Sequence, residues 1–370
     1  MNGRPASNRR TRAVVFITDK LEQNRRAQPL CTSRFVFDPS EIEGALRARI
    51  IGQDETITRF KRQLSVVKAG LQDDRKPLLS TLFLGSTGVG KTEFVRTVAK
   101  AIHGNSEAFC RIDMNTLSQS HYSAAITGAP PGYVGSKENY SLFNEDHIAG
   151  TSTRPGIVLF DEIEKASAEV VRSLMNILDS GSLTLASGQK TLKFNNTLIF
   201  MTSNIGAIKT KTFISKARQS FSQKSRKATF IRALERHFDP EFINRIGSVN
   251  CFNDLSMTSI PDIIENLEAE LNQRLKARNI AIELDPSART LVCSAGFNKR
   301  YGARDIQRQF QALVLEPLAQ FLLSAADDQC RFIFGTATAN KITFQPTLLN
   351  EFSRTSKPVA SRPSQEKTHD

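Results

Sequence analysis

Between Leu78 and Phe252 the chain alternates short apolar runs with segments whose apolar residues recur at helical spacing. The runs are "LLSTLFLG", "AFCRIDM", "GIVLF", "TLIFMTSN" and "SVNCF". Apolar strands separated by helices predict a parallel sheet covered on both faces. A helical pattern begins near Glu41. After Asp254 the texture changes: Ile260, Ile263, Ile264, Leu267, Leu271 and Leu275 mark one face of a helix. "IAIELD", a helix near Pro286, a long helix from about Ala303 and "RFIFG" follow, predicting a smaller, mainly helical unit. The expected organisation is an arm over 1–40 with one short strand ("AVVFIT"), a large domain over 41–253, a small domain over 254–347 and a disordered polar tail over 348–370.

Charge changes this outline at two places. The 370-residue chain has a net charge of +13. Residues 1–34 carry eight Lys/Arg against two acids, and 209–236 carry nine against one, so the remainder is nearly neutral. The arm and an insert over 207–236 therefore read as basic segments on a neutral fold: solvated loops, or surfaces for an acidic partner or nucleic acid. No apolar run is long enough to span a membrane, and no apolar segment follows the N-terminal arginines as in a secretory leader. The five cysteines form no CxxC pair and the five histidines are scattered. Reduced thiols in a cytoplasmic protein without a structural metal are expected.

"GSTGVGKT", Gly85, Ser86, Thr87, Gly88, Val89, Gly90, Lys91 and Thr92, fits the phosphate-loop pattern, with an apolar strand before it and a helix after it. The glycines let backbone N–H groups wrap phosphates, and the helix N-terminus favours their charge. Lys91 is expected to reach the β- and γ-phosphates and the Thr92 hydroxyl to bind Mg2+. "GIVLFDE" places two acids at the C-terminal end of a buried strand, the edge where open parallel sheets bind ligands. Asp161 is the candidate for holding Mg2+ and Glu162 for polarising the attacking water. ATP is favoured over GTP, because no N-K-x-D stretch is present.

Seven motifs in order, "IIGQDETI", "GSTGVGKTE", "ITGAPPGYVG", "IVLFDEIEKA", "LIFMTSNIG", "FDPEFINRIG" and "YGARDIQR", resemble the Clp-type AAA+ unfoldases, and most of all the second ATPase ring of the disaggregase ClpB. The resemblance runs from about Ser40 to Thr347. It implies an AAA+ phosphate-loop domain followed by a small helical lid. Ile51 and Gly52 would line the adenine pocket, and Asn204 would position the attacking water. Arg245 would be an arginine finger entering the neighbouring subunit's site in a homo-hexamer. Arg304 would be a second sensor, closing on the nucleotide from the small domain. Arginines brought from elsewhere suit phosphoryl transfer, which depends on cations that neutralise developing charge. Taken singly, Arg245 and Arg304 could equally be surface ion pairs.

The same resemblance gives Gly132, Tyr133, Val134 and Gly135 a role. In the family this loop faces the ring's pore, where Tyr133 would grip unfolded or aggregated polypeptide by non-directional apolar contact. A buried tyrosine pinned by a turn is the plainer alternative. Protease-coupled relatives carry an "IGF" or "IGL" tripeptide in the insert, and 207–236 has none. No partner peptidase is therefore expected. Ser136–Pro155 keeps one arginine, Arg154, and "DSGSLTLASGQKT", in the place of a second pore loop, has little charge. The expected function is an ATP-driven polypeptide remodeller. The alternative is a nucleic-acid-associated ATPase using the arm and insert, though neither segment shows the aromatic interleaving of a single-strand binder.

Overall fold

The computed structural model describes residues 32–117, 143–184, 191–206, 223–296, 302–324 and 332–346. The Tyr133 loop, most of the basic arm, residues 207–222 of the insert and the tail lie outside the described residues.

Helices α1 (Pro39–Arg49) and α2 (Asp54–Lys68) precede strand β1 (Leu79–Leu84) and helix α3 (Lys91–His103). The next elements are β2 (Cys110–Asp113), α4 (Glu145–Ala149), β3 (Gly156–Asp161), α5 (Ala168–Ser180), β4 (Ser182–Thr184), β5 (Thr191–Lys193) and β6 (Thr197–Ser203). Helices α6 (Gln223–Glu235) and α7 (Pro240–Arg245) lead to β7 (Ser248–Cys251). All five expected strands form one sheet in the order β2-β3-β6-β1-β7, and every pairing in it is parallel. β4 and β5 form a separate antiparallel hairpin.

Strand side chains alternate between faces, and here each face is a core. On β1, Leu82 and Leu84 enter one cluster while Leu79 and Phe83 enter the other. On β3 the split is Val158 and Phe160 against Ile157 and Leu159. The unbroken apolar runs thus reflect burial on both sides. Phe83 is fully buried, with its ring centroid 4.9 Å from Phe94, 5.0 Å from Phe252 and 5.8 Å from Phe200.

The basic insert corrects the expectation of a solvated loop. Its second half is helix α6, which buries Phe230 and Leu234 in a sheet-face core. The two are spaced i, i+4, so one side of a charged helix is apolar.

The C-terminal unit contains α8 (Ile260–Leu275), β8 (Ala281–Leu284), α9 (Pro286–Gly296), α10 (Ala303–Phe310), α11 (Glu316–Ser324), β9 (Phe332–Thr338) and β10 (Lys341–Pro346). A π-helical turn, Gln311–Leu315, joins α10 to α11. The unit has its own core, including Ile264, Ile306 and Phe310. The helices pack on a three-stranded sheet, β10-β9-β8, so a sheet accompanies the expected helices.

Deleting the ring at the centre of the aromatic cluster leaves a cavity that rigid neighbours fill poorly. Phe83→Ala is expected to lower the unfolding free energy by about 3–5 kcal/mol, measured by urea denaturation. A loss below about 1 kcal/mol would show that the cluster collapses onto the space.

Candidate active site

Strand register assembles the site. Asp113 lies beside Asp161, Phe160 beside Met201, and Leu84 beside Ser203. The strands therefore end together, and the residues just past them, Gly85, Glu162 and Asn204, gather at one sheet edge. After β1 the chain turns through Gly85, Gly88 and Gly90, with φ of 158°, 80° and 100°. At Gly88 and Gly90 this backbone suits glycine. Gly90 immediately precedes α3, so Lys91 and Thr92 open that helix.

A cavity of about 500 Å³ occupies this edge. Thr87, Gly88, Val89, Gly90, Lys91 and Thr92 line it from the loop, Asp161, Glu162 and Asn204 from the sheet, Ile51 from the segment after α1, and Arg304 from α10. Gly52, Gly85 and Ser86 are not among its lining residues. Their carbonyls instead hold side chains: Gly85 O and Ser86 O accept from Lys91 Nζ at 2.6 and 3.0 Å, and Gly52 O accepts from Asn253 Nδ2 at 3.1 Å. Arg245 is also outside the cavity. It is an ion-paired arginine at the end of α7, held by Asp179 and, at 2.8 Å, by Glu241.

Asn204 wires the loop to the acids. Its Oδ1 accepts from Lys91 Nζ at 2.7 Å, its Nδ2 donates to Glu162 Oε1 at 3.1 Å, and its backbone N–H donates to Glu164 Oε1 at 3.0 Å. Thr202 ties the Asp161 carboxylate to the Glu162 backbone. Its Oγ1 accepts from the Glu162 backbone N–H at 3.0 Å and donates to Asp161 Oδ1. Glu162 has φ 59°, ψ 54°. For a residue with a side chain this left-handed backbone is uncommon, and such outliers cluster at functional sites.

Two arginines went unread in the sequence. Arg111 on β2 lines the cavity and donates from Nη2 to Asp161 Oδ2 at 2.6 Å. Arg49, at the end of α1, donates from Nε to Glu93 on α3 at 2.8 Å and from Nη2 to Glu270 on α8, tying the C-terminal unit to the phosphate-loop helix. That unit also touches the loop through main chain, where Ala303 N–H donates to Gly88 O at 3.0 Å. A Cβ on Gly302 would come within 2.9 Å of the same oxygen.

The site suits a polyanion with a divalent cation. Lys91, Arg111 and Arg304 supply positive charge around a glycine loop, and Thr92 and Asp161 both face the cavity. Among the described residues no cluster of three or more His, Cys, Asp or Glu could hold a metal.

Residues 76–249 match the family described as AAA domain (Cdc48 subfamily), and residues 255–331 match the C-terminal, D2-small domain of ClpB protein. The chain is 40% identical to the ATP-dependent protease ATP-binding subunit-like protein AmiB of Pseudomonas aeruginosa, over 90% of this chain and 99% of the relative. It is 36% identical to the chaperone protein ClpB of Wolinella succinogenes, over 81% of this chain and 34% of that one. It therefore spans nearly all of the first relative and about a third of the second. A closed-state cryo-EM reconstruction of Hsp104 with ATPγS and FITC-casein matches with a TM-score of 0.71 and 29% identity, over 84% of this chain and 52% of the Hsp104 chain.

Burial holds the Lys91 amine down to about 8 from an ordinary 10.5. Glu164, Asp161 and Glu162 pull against this, and Arg304 adds to it. A lowered lysine disfavours its charged form in the fold. That cost is complete below pH 8 and fades as pH rises toward 10.5. Phosphate charge beside Lys91 raises its pKa, so nucleotide binding at about pH 9 is expected to take up close to one proton. Titration calorimetry in two buffers of different ionisation enthalpy measures this. Equal enthalpies in both buffers would refute it, and Lys91→Met is expected to abolish the uptake.

Proposed function

This chain belongs to the Clp-type AAA+ ATPases, and from that premise we propose that it couples ATP hydrolysis to the unfolding or remodelling of polypeptide. The observation that carries the ATP half is Asn204, which links the phosphate-loop lysine to Glu162 in one hydrogen-bonded chain. In this reading Lys91 and the loop amides bind the β- and γ-phosphates, while Ile51 borders the adenine. Thr92 and Asp161 hold Mg2+, which when bound neutralises charge developing on the transferred phosphoryl group. Glu162 takes the proton of the attacking water, Asn204 orients that water, and Arg304 closes from the small domain over 254–347.

Arg245 acts in trans. It lies outside its own chain's cavity and is held on the surface by two acids, which suits a finger offered to a neighbouring subunit. That role requires a ring, and a homo-hexamer is the assembly proposed by family likeness. Polypeptide as the substrate follows from the same likeness, since the Hsp104 reconstruction was made with casein. Tyr133, flanked by Gly132, Val134 and Gly135, is the residue proposed to grip it. The AmiB relative is described as subunit-like for an ATP-dependent protease. For this chain remodelling without a peptidase is favoured, because 207–236 has no IGF or IGL tripeptide. A cytoplasmic location is proposed. Among the described residues no helix is long and apolar enough to cross a membrane.

Steady-state ATPase rates test the reading, with wild type, Tyr133→Ala and Arg245→Ala each measured alone, with an unfolded protein and with DNA. Unfolded protein is expected to stimulate the wild type, and Tyr133→Ala to lose that response while keeping its basal rate. Arg245→Ala is expected to lose turnover by about 10³-fold or more, the scale of an arginine finger, with nucleotide affinity nearly intact. Stimulation by DNA alone, unchanged in Tyr133→Ala, would overturn the polypeptide assignment. Loss of nucleotide binding in Arg245→Ala would make that residue structural.

A further inference from the structure

Asp161 is a nearly buried carboxylate with both oxygens engaged. Oδ1 accepts from the Thr202 hydroxyl and Oδ2 accepts from Arg111 Nη2 at 2.6 Å. The two partners differ in how readily they can leave. Thr202 is buried within β6, and its oxygen is fixed by a second bond from the Glu162 backbone N–H. Arg111 belongs to the edge strand β2, its side chain is 45% exposed, and among the described residues its side chain bonds to Asp161 alone.

A divalent cation drawn to Asp161 competes for Oδ2 with Arg111, because Oδ1 is held by the buried Thr202. Two cations on one carboxylate oxygen repel each other, so a metal ion there competes with the guanidinium. We propose that the Arg111 guanidinium stands in for the divalent cation on Asp161 and is displaced by nucleotide-borne Mg2+. The inference rests on the assignment of Asp161 to the metal. Its consequence is that Asp161 is neutralised whether or not metal is present. Without metal, Arg111 prevents the carboxylate from repelling an incoming polyphosphate. With metal, the released guanidinium lines the same cavity as Lys91 and Arg304, where phosphate oxygens are its natural acceptors. Arg111 thus acts as a positioning residue that sets how strongly metal and nucleotide favour each other's binding. That coupling is reciprocal by linkage.

The measurement is the affinity of full-length protein for mant-ADP, in EDTA and in saturating Mg2+, for wild type, Arg111→Gln, Arg111→Lys, Asp161→Asn and the Arg111→Gln/Asp161→Asn double variant. The ratio of the two dissociation constants reports the coupling. Arg111→Gln is expected to raise it roughly tenfold, chiefly by weakening binding in EDTA, where the Asp161 charge is left facing the phosphates. Arg111→Lys, which keeps the charge with a shorter reach, is expected to fall between. Asp161→Asn is expected to bring the ratio close to one, and adding Arg111→Gln to it to change nothing further. A ratio unchanged or lowered in Arg111→Gln, while Asp161→Asn collapses it, would overturn the inference and leave the metal assignment standing. An unchanged ratio in Asp161→Asn would instead overturn the metal assignment, and the inference with it. Arg111→Lys carries the same test should the glutamine variant fail to fold.

Discussion

A charged amine pushed into a nearly dry place needs oxygens on every side. Lys91 has carbonyls from Gly85 and Ser86, the amide oxygen of Asn204, and the charges of Glu164, Asp161 and Glu162. No two neighbouring residues could provide that set. It requires the ends of β1, β3 and β6 to meet at one edge with the loop folded back above them. The parallel order of the sheet achieves this, and the two apolar faces keep the order rigid. The glycines matter here chiefly because they bring main-chain oxygen close to a side-chain nitrogen.

The C-terminal unit is attached at the places where this charge is managed. Gln53, buried two residues past the cavity-lining Ile51, exchanges two hydrogen bonds with the backbone of Asn253 at 2.8 and 2.9 Å, where the large sheet ends and the second unit begins. Arg49 joins Glu93 to Glu270 across the same seam. Burial opposes the charge of Arg49, yet its two acidic partners hold its pKa above the ordinary value. Breaking one arm of this bridge would leave a half-buried charge under-compensated.

Much of this was legible in the sequence, for identifiable reasons. The sheet announced itself because strands buried on both faces read as mostly apolar runs with few charges. The phosphate loop announced itself because its glycines and lysine have few substitutes. Arg111 escaped because a single arginine in the short run "AFCRIDM" reads as the exposed position of an edge strand, and nothing local says that it reaches two residues forward to the neighbouring strand's Asp161. Arg245 was legible through the likeness of "FDPEFINRIG" to the family, and Glu241 stands four residues before it. Its partner Asp179, 66 residues away, was not legible. In the insert, the excess of positive charge masked the Phe230–Leu234 pair that anchors α6. The C-terminal sheet was half hidden: "IAIELD" and "RFIFG" stood out as apolar runs, whereas β10, "KITFQP", buries only Ile342 and Phe344. Tyr133 lies outside the described residues, so its role stands on sequence likeness.

The bond from Ala303 N–H to Gly88 O joins the two units through peptide groups alone. A joint of this kind has no side chain of its own to lengthen, shorten or recharge. It also has no slack. A load that drags the C-terminal unit away from the sheet acts directly on the peptide that forms the phosphate cradle, with no flexible chain between to absorb it. The grip on the nucleotide and the posture of the second unit are therefore one mechanical variable, and Gly302, where a single added carbon would meet Gly88, is the position at which that variable is most easily jammed.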